Sequence, residues 1–333
     1  MKRNELPGRR TAVSTPMHMR TLGRSGIGVG AVGFGCMGLN WEYGAVADDQ
    51  GTAVIRRAID LGMTLLDTAD VYAAGRNEEL TGRAIAGRRD EVTLSTKGGM
   101  ILRDQATYAT DIDGSPKHLR AACEESLRRL KVDHIDLYFL HRPDPRVPIE
   151  ESVGALGGLA DEGKIRAIGL SECGVELLDR AHRTRPFAAL QSELSLWTRD
   201  PLADVLPWCA SHDVAFVPYA PLGRGFLAGR IASHGDLDAG DFRKIRQPRF
   251  GPDAFSANLP ILEGVRSIAQ RLDATPAQVA LAWLLAQGPQ IVPIPSTKSI
   301  SRLEENGAAA GLRLSARDLA ELDQLPAAVG PRY

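Results

Sequence analysis

The 333-residue chain is 44% apolar and 24% charged, with 40 basic and 41 acidic residues and a formal charge of −1. That is ordinary globular composition. The charge balance argues against a nucleic-acid or anionic-membrane surface, since either needs a basic excess on at least one face. Cys36, Cys123, Cys173 and Cys209 form no CxxC pattern. They read as free thiols of a reducing, cytoplasmic compartment, not as a disulfide framework or a zinc site.

In chain order, residues 1–18 carry charge without an apolar run. They are expected to form a flexible extension and not a signal peptide, with one domain over 19–333. MRTLGRSGIGVG is expected to form a small hairpin that plugs the bottom of a barrel. Strand-like runs follow at 31–35, 64–66, 92–96, 135–140, 165–170, 188–192, 214–219 and 290–294. Helical runs alternate with them at 49–61, 78–87, 116–130, 150–162, 174–183, 201–212, 259–271 and 300–310. Asn77 and Ser115-Pro116 supply helix-start signals. Repeated β-then-α units at this length predict an α/β protein with a single (β/α)8 (TIM) barrel. An extra helix is expected near 276–287, starting at Thr275-Pro276. Its VALAWLLA run is too short to span a membrane and reads as buried. Connections over roughly 98–115 and 223–257 are long for a compact domain. The second, rich in Gly and Arg, suits a lid over an anionic cofactor as well as it suits a solvated surface loop.

Asp67, Tyr72, Lys97 and His141 stand at or just beyond the ends of apolar strand-like runs. Singly each has a plain explanation: a turn cap, packing, a snorkelling surface lysine, a loop histidine. Jointly they are complementary, and in a parallel barrel such strand ends open into one mouth. A phenol is a poor acid near neutrality, with a pKa of about 10. Lys97 can favour its phenolate, and Asp67 can hold Lys97 by an ion pair. A neutral His141 can orient a carbonyl oxygen while Tyr72 gives up its proton. No side chain supplies a hydride, so a nicotinamide cofactor is required.

GVGAVG at 28–33 is a literal GxGxxG, but a dinucleotide-binding turn needs a helix next. FGCMGLNWEYG follows instead, with no helical period. The match reads as an accident of a hairpin and first strand.

The spaced set LGRSGIGVGAVGFGCMGL, DTADVY, STKGG, YFLHRPD, IGLSE, QSELSL, YAPLGRG and PSTKSISRLEEN resembles the aldo-keto reductase superfamily from about Arg20 to Ala309. The resemblance implies a (β/α)8 barrel, NADPH/NADP+ as cofactor, and reduction of aldehydes or ketones. It places the family's catalytic tetrad on Asp67, Tyr72, Lys97 and His141 without substitution. Ser171 and Gln191 match residues that bind the nicotinamide carboxamide; Glu172 stands where an Asn is common. Tyr219 matches the aromatic stacked on the nicotinamide ring. Leu222, Gly223 and Arg224 match a loop along the pyrophosphate. Ser296, Thr297, Lys298, Arg302, Glu305 and Asn306 match the adenosine end, with Arg302 on the 2′-phosphate. Many relatives carry Lys where Ser296 stands, and Lys298 can compensate. An arginine fork still favours a phosphate dianion over a bare hydroxyl, hence NADPH.

Met37, Trp41, Trp197 and Phe250 are candidate substrate-pocket residues, with ordinary packing as the alternative. Such a lining would suit an apolar or aromatic carbonyl compound. The short tail PAAVGPRY offers little to close the pocket, which could then admit a bulky substrate. The expected partner is a small carbonyl compound, without metal; assembly as a homo-oligomer stays open. Two other readings compete. A non-catalytic NADPH-binding regulatory subunit of this fold is disfavoured by the intact tetrad. A metal-dependent hydrolase or lyase using Asp67, Asp70 and His141 has no recognisable ligand spacing.

Overall fold

The computed structural model describes residues 17–41, 43–105, 107–231, 233–238 and 240–332. Most of the expected 1–18 extension therefore lies outside the described residues. Met17 packs against the core, and the His18 carbonyl accepts a hydrogen bond from Ala31 N at 2.9 Å.

β1 (Met19–Thr21) and β2 (Gly28–Gly30) form the antiparallel hairpin. A parallel sheet follows, built from β3 (Phe34–Gly35), β4 (Leu65–Asp67) and β5 (Thr93–Gly98). β6 (Met100–Asp104) and β7 (Ala109–Ile112) pair, among the described residues, only with each other. The sheet resumes with β8 (Ile135–Leu140), β9 (Ile165–Ser171), β10 (Ala189–Glu193) and β11 (Ala215–Tyr219). Its order is β3-β4-β5-β8-β9-β10-β11. The helices are α1 (Asp48–Asp60), α2 (Arg76–Ile85), α3 (Pro116–Leu130), α4 (Ile149–Asp161), α5 (Val175–Thr184) and α6 (Val205–Ser211). They continue with α7 (Phe242–Arg246), α8 (Pro252–Arg271), α9 (Pro276–Ala286), α10 (Ile300–Ala308) and α11 (Ala316–Asp323). Among the described residues no helix is long and apolar enough to cross a membrane.

The stave expected at 290–294 closes the ring without a full ladder. Val292 N and Ile294 N donate to the Phe216 and Pro218 carbonyls of β11, at 2.9 and 3.1 Å. On the other side Gly33 N and Gly35 N donate to the Pro293 and Pro295 carbonyls, at 2.9 and 3.1 Å. Pro293 and Pro295 have no N–H to return toward β3, so that edge is half bonded. The result is a nearly closed (β/α)8 barrel.

Strand periodicity sorts the core into two compartments. Leu65, Leu137, Phe139, Ala189, Ala215, Val217, Val292 and Ile294 pack together inside the barrel, with Leu22, Ile27 and Val29 of the hairpin below them. Their neighbours Leu66, Tyr138, Leu140, Leu190 and Phe216 face the helices. Gly169 belongs to the inner set by register, opposite Phe139 and Ala189. A Cβ there would lie 2.3 Å from the Phe139 ring, so glycine makes room for the phenyl group.

Several local expectations shift. The second helix starts at Arg76 with Gly75 as cap, so Asn77 lies inside it. Ser115 does cap α3, accepting from His118 N. Residues 201–212 divide into a short 3-10 turn and α6, and the helix expected at 259–271 begins at Pro252. Residues 98–115, expected as a long connection, hold the β6–β7 hairpin. α11, started by a Ser315–Asp318 capping box, was also not foreseen.

Candidate active site

The inward register of successive strands continues past the core and out at the carboxyl ends. Asp67 follows Leu65, Lys97 pairs across from Phe139, and His141 comes two residues after Phe139. Ser171, Gln191 and Tyr219 continue the same parity on β9, β10 and β11. One cavity of about 1110 Å³ opens there, lined by Asp67, Tyr72, His141, Gln191 and Tyr219 among others.

The structure brings the four expected polar residues together. Lys97 Nζ lies 2.5 Å from Asp67 Oδ2, 2.7 Å from the Thr68 carbonyl and 3.4 Å from Tyr72 Oη. Asp67 Oδ1 accepts from Ser95 Oγ and Gln191 Nε2, each at 2.9 Å. The Tyr72 and His141 rings meet edge to face, with centroids 5.9 Å apart. Lys97 is fully buried and the other three are at most 7% exposed. Charge at this depth persists only when paired and hydrogen-bonded, and Asp67 provides both. Burial pushes the Lys97 ammonium down while Asp67 opposes it.

Burial, then the charges of Arg142 and Lys97, hold the His141 imidazole well below its usual range. It is therefore neutral near pH 7 and can act as a hydrogen-bond donor. The shift has a stability consequence with a definite sign. Below about pH 6.5 an unfolded imidazole takes up a proton that the folded one refuses. Stability should fall as pH drops through that point, by up to about 1.4 kcal/mol per pH unit for this group. Urea unfolding across pH 5 to 7 should show this slope, and His141→Gln should flatten it; an identical slope in the variant would contradict the assignment.

Tyr72 is delivered by a strained turn. Ala73 and Ala74, directly after it, have φ of 50° and 55°, and Gly75 has 87°. Left-handed alanines cost on the order of 1–2 kcal/mol each and need support from their surroundings. Asn77 supplies some of it, with Nδ2 donating to the Cys36 carbonyl at 2.9 Å and Oδ1 accepting from Thr68 Oγ1 at 2.7 Å. Buried Glu78 adds more, accepting from Thr96 Oγ1 and Arg129 Nε, both at 2.6 Å. Sequence reading assigned Asn77 only a capping role and gave Glu78 none.

The other expected positions divide. Leu222, Arg224, Ser296, Thr297, Lys298, Arg302, Glu305 and Asn306 line the cavity, as do Met37 and Trp41. The Trp41 and Tyr72 rings meet at a tilt of 39°, with centroids 4.9 Å apart. Ser171 is buried behind the lining, its Oγ accepting from Arg142 Nη1 at 3.0 Å. Gly223 is also behind it, against Trp197. The Arg224 guanidinium is held on both Glu193 oxygens, at 3.0 and 2.9 Å.

Trp197 and Phe250 are not pocket residues. Trp197 stacks on Phe226 at 4.1 Å and meets Phe250 edge-on at 5.2 Å, and both are buried in the core outside the lining. Position after a strand or on a long loop did not reveal that large rings there would pack on each other. The pocket instead gains Met100 from the hairpin and Phe242 and Arg243 from the segment after β11. Tyr108 meets Trp41 at 5.7 Å and Phe242 at 5.4 Å, closing an aromatic rim. Arg142, beside His141, was also missed as a lining residue.

The segment after β11 lines the cavity and is tied to other parts of its wall. Arg230 pairs with Glu305 at 3.2 Å, and Arg243 pairs with Asp241 and lies 5.3 Å from the Tyr43 ring centroid. Lys298 Nζ bonds the Tyr43 carbonyl. The four cysteines are buried and free, their thiols pushed up to about 12 by burial. Among the described residues no group of His, Cys, Asp and Glu could hold a metal ion, so Asp67, Asp70 and His141 do not form the cluster that the hydrolase reading requires.

Known proteins resemble this chain in sequence and fold. The sequence profile of the Aldo/keto reductase family covers residues 31–327. A probable aldo-keto reductase 1 of Glycine max is 42% identical over 308 residues, covering 90% of this chain and 86% of the relative. The structure of a glycerol dehydrogenase from Gluconobacter oxydans superposes with a TM-score of 0.83 at 30% identity, covering 92% of this chain and 93% of that one. An aldo/keto reductase from Klebsiella pneumoniae, solved in complex with NADP and acetate, gives 0.71 at 31% identity, covering 92% and 94%.

Proposed function

This chain belongs to the aldo/keto reductase family, and from that premise we propose that it is an NADP-dependent oxidoreductase reducing an aldehyde or ketone to an alcohol, with Tyr72 as proton donor. The observation that carries the reading is the buried contact of Lys97 with both Asp67 and the Tyr72 hydroxyl in one cavity. The Klebsiella relatives solved with NADP and with NADPH support the cofactor.

The donor set fits that cofactor. Arg302 is exposed on α10, lines the cavity and makes no ion pair among the described residues. Lys298 lies close by on the same wall. A fork and an ammonium at one end suit a 2′-phosphate. Tyr219 and Gln191, at the other end, offer an aromatic face and an amide for a nicotinamide. The cofactor supplies the hydride.

The chain's own residues handle the oxygen. Neutral His141 donates a hydrogen bond to the carbonyl and orients it. Tyr72 Oη transfers its proton as negative charge develops there. Lys97 stabilises the phenolate left behind, and Asp67 holds Lys97 charged and in place. In oxidation the same groups act in reverse. The aromatic rim of Trp41, Tyr108 and Phe242 favours an apolar or aromatic substrate body.

Arg302→Ala should weaken NADPH by about 10- to 100-fold and NADH far less, since one charge-assisted contact would be lost. Fluorescence titration with each cofactor measures this. Equal losses would remove the phosphate role.

A further inference from the structure

Most cations around the cavity already have a carboxylate. Lys97 is held by Asp67, Arg224 by Glu193, Arg230 by Glu305 and Arg243 by Asp241. Lys298 and Arg302 lie at the end assigned above to the adenosine phosphates. Arg142 remains. It directly follows His141 and lines the same cavity. Its Nη1 is tethered to the His141 carbonyl at 2.7 Å and to Ser171 Oγ at 3.0 Å. Among the described residues it makes no ion pair, and neither Nε nor Nη2 makes a hydrogen bond. Glu172, at the end of the neighbouring strand, is engaged by Arg332 at 2.5 Å and by Glu193 N at 2.9 Å.

The tether fixes the guanidinium and leaves its Nε–Nη2 edge open. That edge is one of the two that bind a carboxylate through parallel hydrogen bonds. Consecutive residues thus offer an imidazole for a carbonyl oxygen and a fork for an anion beside it. The nicotinamide ring itself carries no phosphate, and the 2′-phosphate is assigned above to the Arg302 end.

We propose that Arg142 is a specificity-determining residue that receives a substrate carboxylate adjacent to the reacting carbonyl, so that 2-oxo acids with an apolar or aromatic body are preferred substrates. This rests on the reductase reading above. In the step, a hydride from NADPH adds to the ketone carbon and the C=O π pair moves to oxygen, which takes the Tyr72 proton. The cofactor is oxidised, the ketone is reduced, and the carboxylate is unchanged. Met37, Trp41, Met100 and Phe242 surround the space left for the body of the molecule.

The test uses phenylglyoxylate and its methyl ester, which share the aryl ketone while the ester lacks the carboxylate charge. The wild-type enzyme should reduce the acid with a kcat/KM about 10- to 100-fold above that of the ester, the worth of one charged hydrogen-bonded contact. Arg142→Gln should lower the acid-to-ester ratio about 10- to 100-fold, and Arg142→Lys should restore part of it. NADPH titration confirms that each variant is folded. Ester turnover without acid preference in the wild type, or equal losses on both compounds in Arg142→Gln, would overturn the inference while leaving the reductase reading intact. No turnover of either compound by the wild type would overturn the inference, while reduction of another aldehyde or ketone would keep the reductase reading.

Discussion

Tyr72→Phe should lower the rate of carbonyl reduction by about 10²- to 10⁴-fold, the usual worth of a positioned general acid. NADPH affinity should change little. The ring stays, so its packing with Trp41 at 4.9 Å and its edge contact with His141 are retained. Only the hydroxyl goes, and with it the group 3.4 Å from Lys97 Nζ. Single-turnover loss of nicotinamide absorbance separates this from slow product release. Unchanged turnover would remove Tyr72 from the chemistry.

Lys97→Met should be nearly as damaging to turnover and, unlike Tyr72→Phe, should also destabilise the fold. The ammonium is fully buried and bridges Asp67, the Thr68 carbonyl and Tyr72. Its removal leaves the Asp67 carboxylate buried without its cation, a loss of about 3–5 kcal/mol for a buried pair. Pairing it with Asp67→Asn should recover much of the stability and none of the turnover. Chemical denaturation and steady-state kinetics on the single and double variants give both readings. Recovery of turnover in the double variant would show that Lys97 serves only to neutralise Asp67.

The barrel and the convergence of Asp67, Lys97 and His141 were legible because both follow from strand periodicity, whereas Tyr72 stands on a turn five residues past Asp67. Parallel strands buried on both faces read as continuous apolar runs, and a polar residue at the end of one is conspicuous. Where backbone chemistry departed from that pattern, legibility fell. The stave at 290–295 looks like a strand in sequence, yet Pro293 and Pro295 leave one edge half bonded. The β6–β7 hairpin lay hidden in a polar stretch whose strands pair, among the described residues, only with each other.

Side-chain destinations were less readable than strand positions. Arg224 sits on the expected loop, but buried Glu193 two strand-register steps beyond Gln191 captures its guanidinium. Trp197 packs on Phe226 and Phe250, and Phe250 and Phe226 each meet Phe255, in one buried cluster. The supports of Tyr72 were hidden for a related reason. Asn77 and Glu78 are polar residues in an amphipathic helix, and only the folded chain shows them buried beneath a left-handed turn.

Product analysis with NADPH deuterated at the transferring carbon tests the central claim most directly. One deuterium on the carbinol carbon of the alcohol, a primary isotope effect on single-turnover reduction, and loss of both in Tyr72→Phe are the predicted results. An alcohol free of deuterium, or the same labelled product formed at the wild-type rate without the Tyr72 hydroxyl, would contradict it.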